Sequence, residues 1–157
     1  MSTPVRVVFD CNVYFQAFLS ERGPAGRLLL GVHDGRLLLF LTQYVLDELK
    51  NVLARPTLIQ KFQFTTERVE EFLKSLMELG TLTQDVPQVF EFSRDPDDAH
   101  YVDLALAVNA KLIVSRDKDL LSLRDASTAE GRDFLARFPT LQILTPPDAL
   151  KLIESDA

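Results

Sequence analysis

Hydrophobic positions along this chain fall into two rhythms. Short, mostly apolar runs alternate with longer stretches in which apolar residues recur every three or four positions. The first run, Val5-Arg6-Val7-Val8-Phe9, reads as a strand buried on both faces and ends in an acid, Asp10. Asn12 stands where a helix should start, and Asn is a good N-cap. Val13 to Leu19 reads as that short helix. A turn containing Gly23 and Pro24 leads to a second helix, which runs to about His33 and stops at Asp34-Gly35. Arg36 to Thr42 is a second buried strand.

The next helix spans about Gln43 to Arg55. At about 100° per residue, Val45, Leu46, Leu49, Val52 and Leu53 form one stripe. Glu48 falls about 40° beyond its edge, so it flanks the buried face and leans toward a cleft, while Asp47 points away to water. Pro56 breaks this helix and starts a short one over Thr57 to Phe62. Thr65-Thr66-Glu67 opens a helix that ends at Leu79, with Gly80 as its C-cap. Thr81 to Thr83 reads as a short strand, and Val86 to Arg94 as a connection or edge element.

The second half begins with the most acidic point of the chain, Asp95-Pro96-Asp97-Asp98. Asp97 or Asp98 should cap the helix that follows, Ala99 to Asn109, which is apolar almost all round and therefore buried. Lys111 to Ser115 is a third buried strand, running into Arg116-Asp117-Lys118-Asp119. Arg124 to Arg132 reads as a loop, Asp133 to Phe138 as a short helix, Leu141 to Leu144 as a last strand, and Pro146-Pro147-Asp148 as the start of a last helix. Strands alternating with helices imply an α/β fold whose parallel sheet is covered on both faces. With no repeat or long linker, residues 1–157 read as a single domain.

Composition narrows the chemistry. The net charge is −6, so nucleic acid would have to be held by a local basic patch, a metal or a basic partner rather than by overall charge. Cys11 is the only cysteine, which excludes an intrachain disulfide and a cysteine zinc cage. His33 and His100 are the only histidines, so oxygen ligands remain, and these suit Mg²⁺ or Mn²⁺. The N-terminus lacks the pattern of a signal peptide and no apolar stretch approaches membrane-spanning length; the expectation is a cytoplasmic protein.

Each acid also has an ordinary explanation. Asp10 and Asp98 could simply cap helices, Asp117 could belong to a turn, and Glu48 could be a solvated helix residue. Together they are harder to dismiss. In a parallel sheet the strand C-termini and following helix N-termini share one edge, so Asp10, Asp98 and Asp117 should emerge together with Glu48 close by. Crowded carboxylates repel and take up protons, a cost that a divalent cation removes. With Mg²⁺ or Mn²⁺ such a set can position a phosphate, generate hydroxide from water and stabilise a leaving oxygen.

These stretches resemble the PIN-domain family of nucleases, and in particular the prokaryotic branch that supplies the toxins of toxin-antitoxin pairs. The matching segments are VVFDCNV, LTQYVLDELKNVL, DPDDAHYVDLALA and IVSRDKDLL. The resemblance implies a three-layer α/β/α fold with a central, mainly parallel sheet of about four to five strands. It also implies an Mg²⁺- or Mn²⁺-dependent endoribonuclease whose acidic quartet is Asp10, Glu48, Asp98 and Asp117. Asn12 and Ser115 match positions that support the quartet by hydrogen bonds. Asp97 is an alternative to Asp98, Asp119 is a supporting or alternative ligand, and Asp103 has a supporting role. Arg116 and Lys118 are the best placed RNA contacts, with Arg22 and Arg27 weaker. His100 is structural or at the site rim, and His33 is a surface residue. An antitoxin protein and a homodimer are partners the resemblance allows, and the helices around Leu28-Leu30 and Phe72-Leu79 are candidate surfaces for them.

Two other readings compete. A phosphatase of the haloacid dehalogenase type also begins with an Asp after a buried strand, but normally has a second Asp where this chain has Asn12. A partner-binding module of the same fold, with weak or no catalysis, is the alternative from a different class.

Overall fold

The computed structural model describes residues 3–155. Five strands form one sheet in the order β3-β2-β1-β4-β5, and every neighbouring pair is parallel. The strands are β1 (Val5–Phe9), β2 (Leu37–Leu41), β3 (Thr81–Leu82), β4 (Leu112–Val114) and β5 (Gln142–Leu144). Parallel strands need crossovers, and helices supply them: α1 (Cys11–Leu19) and α2 (Pro24–His33) between β1 and β2, then α3 (Gln43–Leu53), α4 (Pro56–Phe62) and α5 (Thr66–Leu79) before β3. A 3-10 turn at Pro96–Asp98 precedes α6 (Ala99–Ala107); α7 (Lys118–Ser122) and α8 (Ala129–Arg137) follow β4, and α9 (Pro146–Ser155) follows β5. The result is the expected three-layer α/β/α architecture.

β1 is the axis of the sheet, with Val7 beside Leu39 on one flank and Leu112 on the other. Val7, Val8 and Phe9 are all buried although consecutive residues point to opposite faces, so helices cover the sheet on both sides here. β2 departs from the expected fully buried strand: Leu37, Leu39 and Leu41 are in the core, but Leu38 on the other face is 42% exposed. Its outer neighbour β3 has only two residues and pairs with Phe40 and Leu41, so Leu38 has no strand on its outer side.

Several boundaries differ from the sequence reading for identifiable reasons. Gly80 does end α5, but its backbone is extended (φ −97°) rather than left-handed; a Cβ there would meet Leu41 Cδ2 at 2.2 Å, so close approach to β2 is what calls for glycine. Gly35, at φ +81°, is the turn that needs glycine's left-handed freedom. α8 starts at Ala129, inside the stretch expected to be loop, because the Thr128 hydroxyl accepts the Gly131 N–H and caps it. α7 is a short helix where only a turn was expected, capped by Asp117.

Residues 83–95 carry no regular secondary structure, yet Phe90 and Phe92 in their midst are buried. Phe90 packs against Phe92, Phe134 and Phe138, and both the Val89 and Phe90 N–H groups donate to Asp103 Oδ1, at 2.9 and 2.7 Å. A buried aromatic anchor and one buried carboxylate therefore hold this segment against α6.

Candidate active site

Because all strands run the same way, the C-terminal ends of β1, β2 and β4 open on one edge. Asp10 and Ser115 are the first residues past β1 and β4, and each extends the ladder by one bond, Asp10 N–H to the Val114 carbonyl (3.0 Å) and Ser115 N–H to the Leu144 carbonyl (2.9 Å). Asp10 is only 4% exposed. Its Oδ1 accepts the Val13 N–H at 3.0 Å, and its Oδ2 accepts the Ser115 hydroxyl. Asp10, not Asn12, is therefore the N-cap of α1. The strand passes into the helix with no spacer, so the residue that ends one caps the other; Asn12 lies within the first turn, exposed.

Ser115 is fully buried and works in two directions. While donating to Asp10, its Oγ accepts the Asp117 N–H at 2.9 Å. Asp117 Oδ1 in turn accepts the Asp119 N–H at 2.7 Å. The hydroxyl thus fixes the carboxylate of β1 relative to the backbone that carries the next one.

Asp98 and Asp97 differ in burial at this edge. The 3-10 turn leads directly into α6, and the Ala99 N–H bonds back to the Pro96 carbonyl, so neither acid caps the helix with its side chain. That leaves the Asp98 carboxyl free, and its Oδ2 is buried without a hydrogen-bond partner. Burial, then contact with Asp117 and the like charges of Asp117 and Asp95, push the Asp98 carboxyl up to about 9. Asp97 is exposed, and its charge bears on Glu48 and Tyr44.

Glu48 is partly buried and Asp47 exposed, as the helical angles predict. Burial first, then the charges of Asp10 and Asp97, raise the Glu48 carboxyl above its ordinary range, and Arg55 opposes them. Burial also raises Asp10; the Ser115 and Val13 bonds oppose that, and the Asp117 charge adds to it. Asp117 thus acts on both Asp10 and Asp98, and Asp10 acts on Glu48, along one strip, but among the described residues these four do not form one group of ligand atoms within 4.8 Å.

Among the described residues, the potential ligand atoms of Asp95, Asp117 and Asp119 lie within 4.8 Å of one another. Asp95 was not singled out from the sequence, where it looked like the first residue of a turn; its place before a rigid proline was the available signal. Asp103 is buried and spends Oδ1 on the 83–95 segment rather than on this trio. Arg116 and Lys118 are exposed. Two other cations reach the acids: Arg94 Nε lies 3.9 Å from Asp119, and Arg55 is felt at Glu48. Arg27 is paired with Glu154 of α9, Arg22 is exposed, and His33 is exposed beside Asp34.

The remaining reactive groups near the strip are held protonated or neutral. Burial pushes the Cys11 thiol up to about 12, and raises the Tyr14 and Tyr101 hydroxyls. Burial also lowers His100. The Cys11 N–H donates to Tyr101 Oη at 2.9 Å, which ties α1 to α6 beneath the acids.

A doubly covered parallel sheet with carboxylates beyond its strand ends defines an α/β domain with an acidic edge, a place where ligands bind in open sheets of this kind. The PIN domain family matches residues 6–119, and the chain belongs to that family. It is also similar to the uncharacterized protein MJ1680 of Methanocaldococcus jannaschii, with 26% identity over 121 residues, covering 77% of this chain and 76% of the relative. PIN domains are generally metal-dependent nucleases, so the chain has the scaffold of a hydrolase acting on nucleic acid.

Proposed function

We propose that this protein is an endoribonuclease that hydrolyses RNA phosphodiester bonds with Mg²⁺ or Mn²⁺, in the manner of toxins from toxin-antitoxin pairs. The observation that carries this reading is the link from Asp10 through Ser115 to Asp117, with a buried, unpartnered Asp98 oxygen beside it. An all-carboxylate set, in which Asp10, Glu48 and Asp98 have raised proton affinity, is chemically suited to a hard divalent cation. Asp10, Glu48, Asp98 and Asp117 would hold it, with Asp95 and Asp119 close enough to share it. The cation supplies charge neutralisation for the phosphate, activation of water and stabilisation of the departing oxygen.

The chain's own residues do the positioning. Ser115 orients Asp10 and the Asp117 backbone, so the two carboxylates are presented from a rigid sheet edge. Both Asp10 oxygens accept hydrogen bonds and the side chain is almost fully buried, which disfavours the phosphatase reading, where Asp10 would be phosphorylated. The Cys11 thiol stays protonated, so it is no nucleophile. Arg94 and Arg55, with the exposed Arg116 and Lys118, are the cations at hand for flanking phosphates. Residues 1–157 act as one domain, cytoplasmic, with RNA as substrate and with an antitoxin protein or a second copy as partner. Among the described residues no helix is long and apolar enough to cross a membrane.

The test is cleavage of a panel of fluorogenic RNA oligonucleotides with Mg²⁺ or Mn²⁺, for wild type, Asp10→Asn, and wild type in EDTA. Asn retains a capping oxygen for Val13, so the variant should fold. Metal-dependent cleavage lost in Asp10→Asn supports the proposal. Cleavage that persists in Asp10→Asn would remove Asp10 from the site, and no cleavage by wild type would favour the partner-binding module.

A further inference from the structure

Beside the acidic strip lies a cavity of about 1000 Å³, enclosed by the start of α3, the start of α6 and the 83–95 segment. Asp97 lines it, and Asp97 is also one of the charges acting on Glu48, so the cavity and the strip adjoin. Its walls are not simply apolar. Tyr44 is 57% exposed, with its ring packed edge-on against His100 at 4.6 Å between centroids. His100 Nε2 is buried and has no hydrogen-bond partner. Gln84 and Gln88 also line it and bring side-chain amides to the cavity.

We propose that this cavity receives an unstacked base of single-stranded RNA, held flat against Tyr44 and read at its edge by Gln84 and Gln88. This rests on the nuclease reading and specifies its substrate. The geometry follows from α3. Tyr44 and Glu48 are four residues apart, hence neighbours on one helix face, so a base on Tyr44 puts its own backbone at the carboxylates. An aromatic ring at the surface is the usual platform for an unpaired base, because every base offers a π face. Side-chain amides carry both donors and acceptors, which base edges require. Asp85, Glu91, Asp97 and Asp103 also line the cavity, and these acids repel phosphates, which keeps the sugar-phosphate chain outside. A duplex cannot enter, since its bases are already stacked and paired.

The chemistry that competes for the same cavity is a cationic side chain of a partner peptide, drawn by Asp97 and Glu91 and by the Tyr44 ring. The experiment separates the two and does not depend on catalysis. The four ribonucleosides, and N-acetyl-arginine amide as the cationic probe, are titrated in EDTA against wild type, Tyr44→Phe and Tyr44→Ala by ligand-observed saturation-transfer NMR. Tyr44 is largely exposed, so both variants should keep the wild-type thermal midpoint, which is measured alongside. Expected is saturable binding of at least one nucleoside to wild type and Tyr44→Phe, weakened about tenfold or more in Tyr44→Ala. In parallel, KM for RNA cleavage should rise about tenfold in Tyr44→Ala while kcat changes little.

Nucleoside binding at Tyr44 without any RNA cleavage by wild type would sink the nuclease reading and keep the base pocket. RNA cleavage unchanged in Tyr44→Ala, or nucleosides that fail to bind, would overturn the base pocket and leave the nuclease standing. Binding of the arginine probe alone would overturn it in favour of a basic peptide.

Discussion

The Ser115 hydroxyl donates to Oδ2 of Asp10 across 105 residues of chain, and both groups are buried. This contact adds a side-chain bond to the β1–β4 ladder that joins the first strand to the second half. The same oxygen accepts the Asp117 N–H, so removing it leaves a buried carboxylate oxygen and an amide with no partner.

Ser115→Ala should therefore destabilise the protein by about 1–3 kcal/mol, the range for stranding buried polar groups. Activity should fall further than stability alone would explain, because Asp10 and Asp117 lose their shared reference point. Urea unfolding paired with kcat/KM checks both. A variant with normal stability and normal kcat/KM would show that the hydroxyl positions nothing.

Without divalent cation, stability should fall as pH rises. The folded-state value for Asp98 lies near 9 against an ordinary 3.8, so in that window the folded chain holds a proton that the unfolded chain has released. Folding then takes up a proton, and deprotonating conditions oppose it. The raised values of Asp10 and Glu48 act in the same direction. Thermal midpoints in EDTA across this window should decline, and Asp98→Asn should flatten the curve. An identical slope in that variant would mean that Asp98 does not hold the proton.

Mg²⁺ or Mn²⁺ should raise the thermal midpoint, since an ion that binds only the folded state at about a hundred times its Kd contributes about 2.7 kcal/mol. Glu48→Gln should weaken this stabilisation by about tenfold in ion concentration, and Asp95→Asn by less. The reverse ranking would move the ion to Asp95, Asp117 and Asp119, the trio already within 4.8 Å.

Asp103→Ala should loosen the 83–95 segment without touching the acidic strip. The Val89 and Phe90 amides lose their acceptor, at a cost of about 1–3 kcal/mol. Hydrogen exchange should speed up in residues 83–95 more than in β1 or β4. Uniform protection in the variant would show that the buried phenylalanines suffice to hold the segment.

The frame of the fold was legible in the sequence because its signals are local. Short, mostly apolar runs gave β1 and β4, and helical angles placed Glu48 half-buried and Asp47 in water. What was not legible depends on backbone handover between elements. Whether Asp10 or Asn12 caps α1 turns on the absence of a spacer after Phe9. Whether Asp97 or Asp98 turns inward depends on a 3-10 turn whose own carbonyl satisfies the Ala99 N–H. Asp95 and Asp103 were ambiguous for a similar reason: an acid in a turn or a buried helix reveals its partner only once the distant segment is in place.

The sheet order has a consequence for how the molecule comes into being. β1 is made first but sits in the middle, and one of its two flanks is filled only by Leu112–Val114. As the chain leaves the ribosome, Asp10 and Glu48 are both exposed to the cell long before Ser115 and Asp117 have been translated. The acidic edge therefore cannot assemble on a partial chain, and a truncated product of the first hundred or so residues would be inert. Whatever activity the acidic edge supports therefore waits for the second half of the chain, a delay set by the strand order.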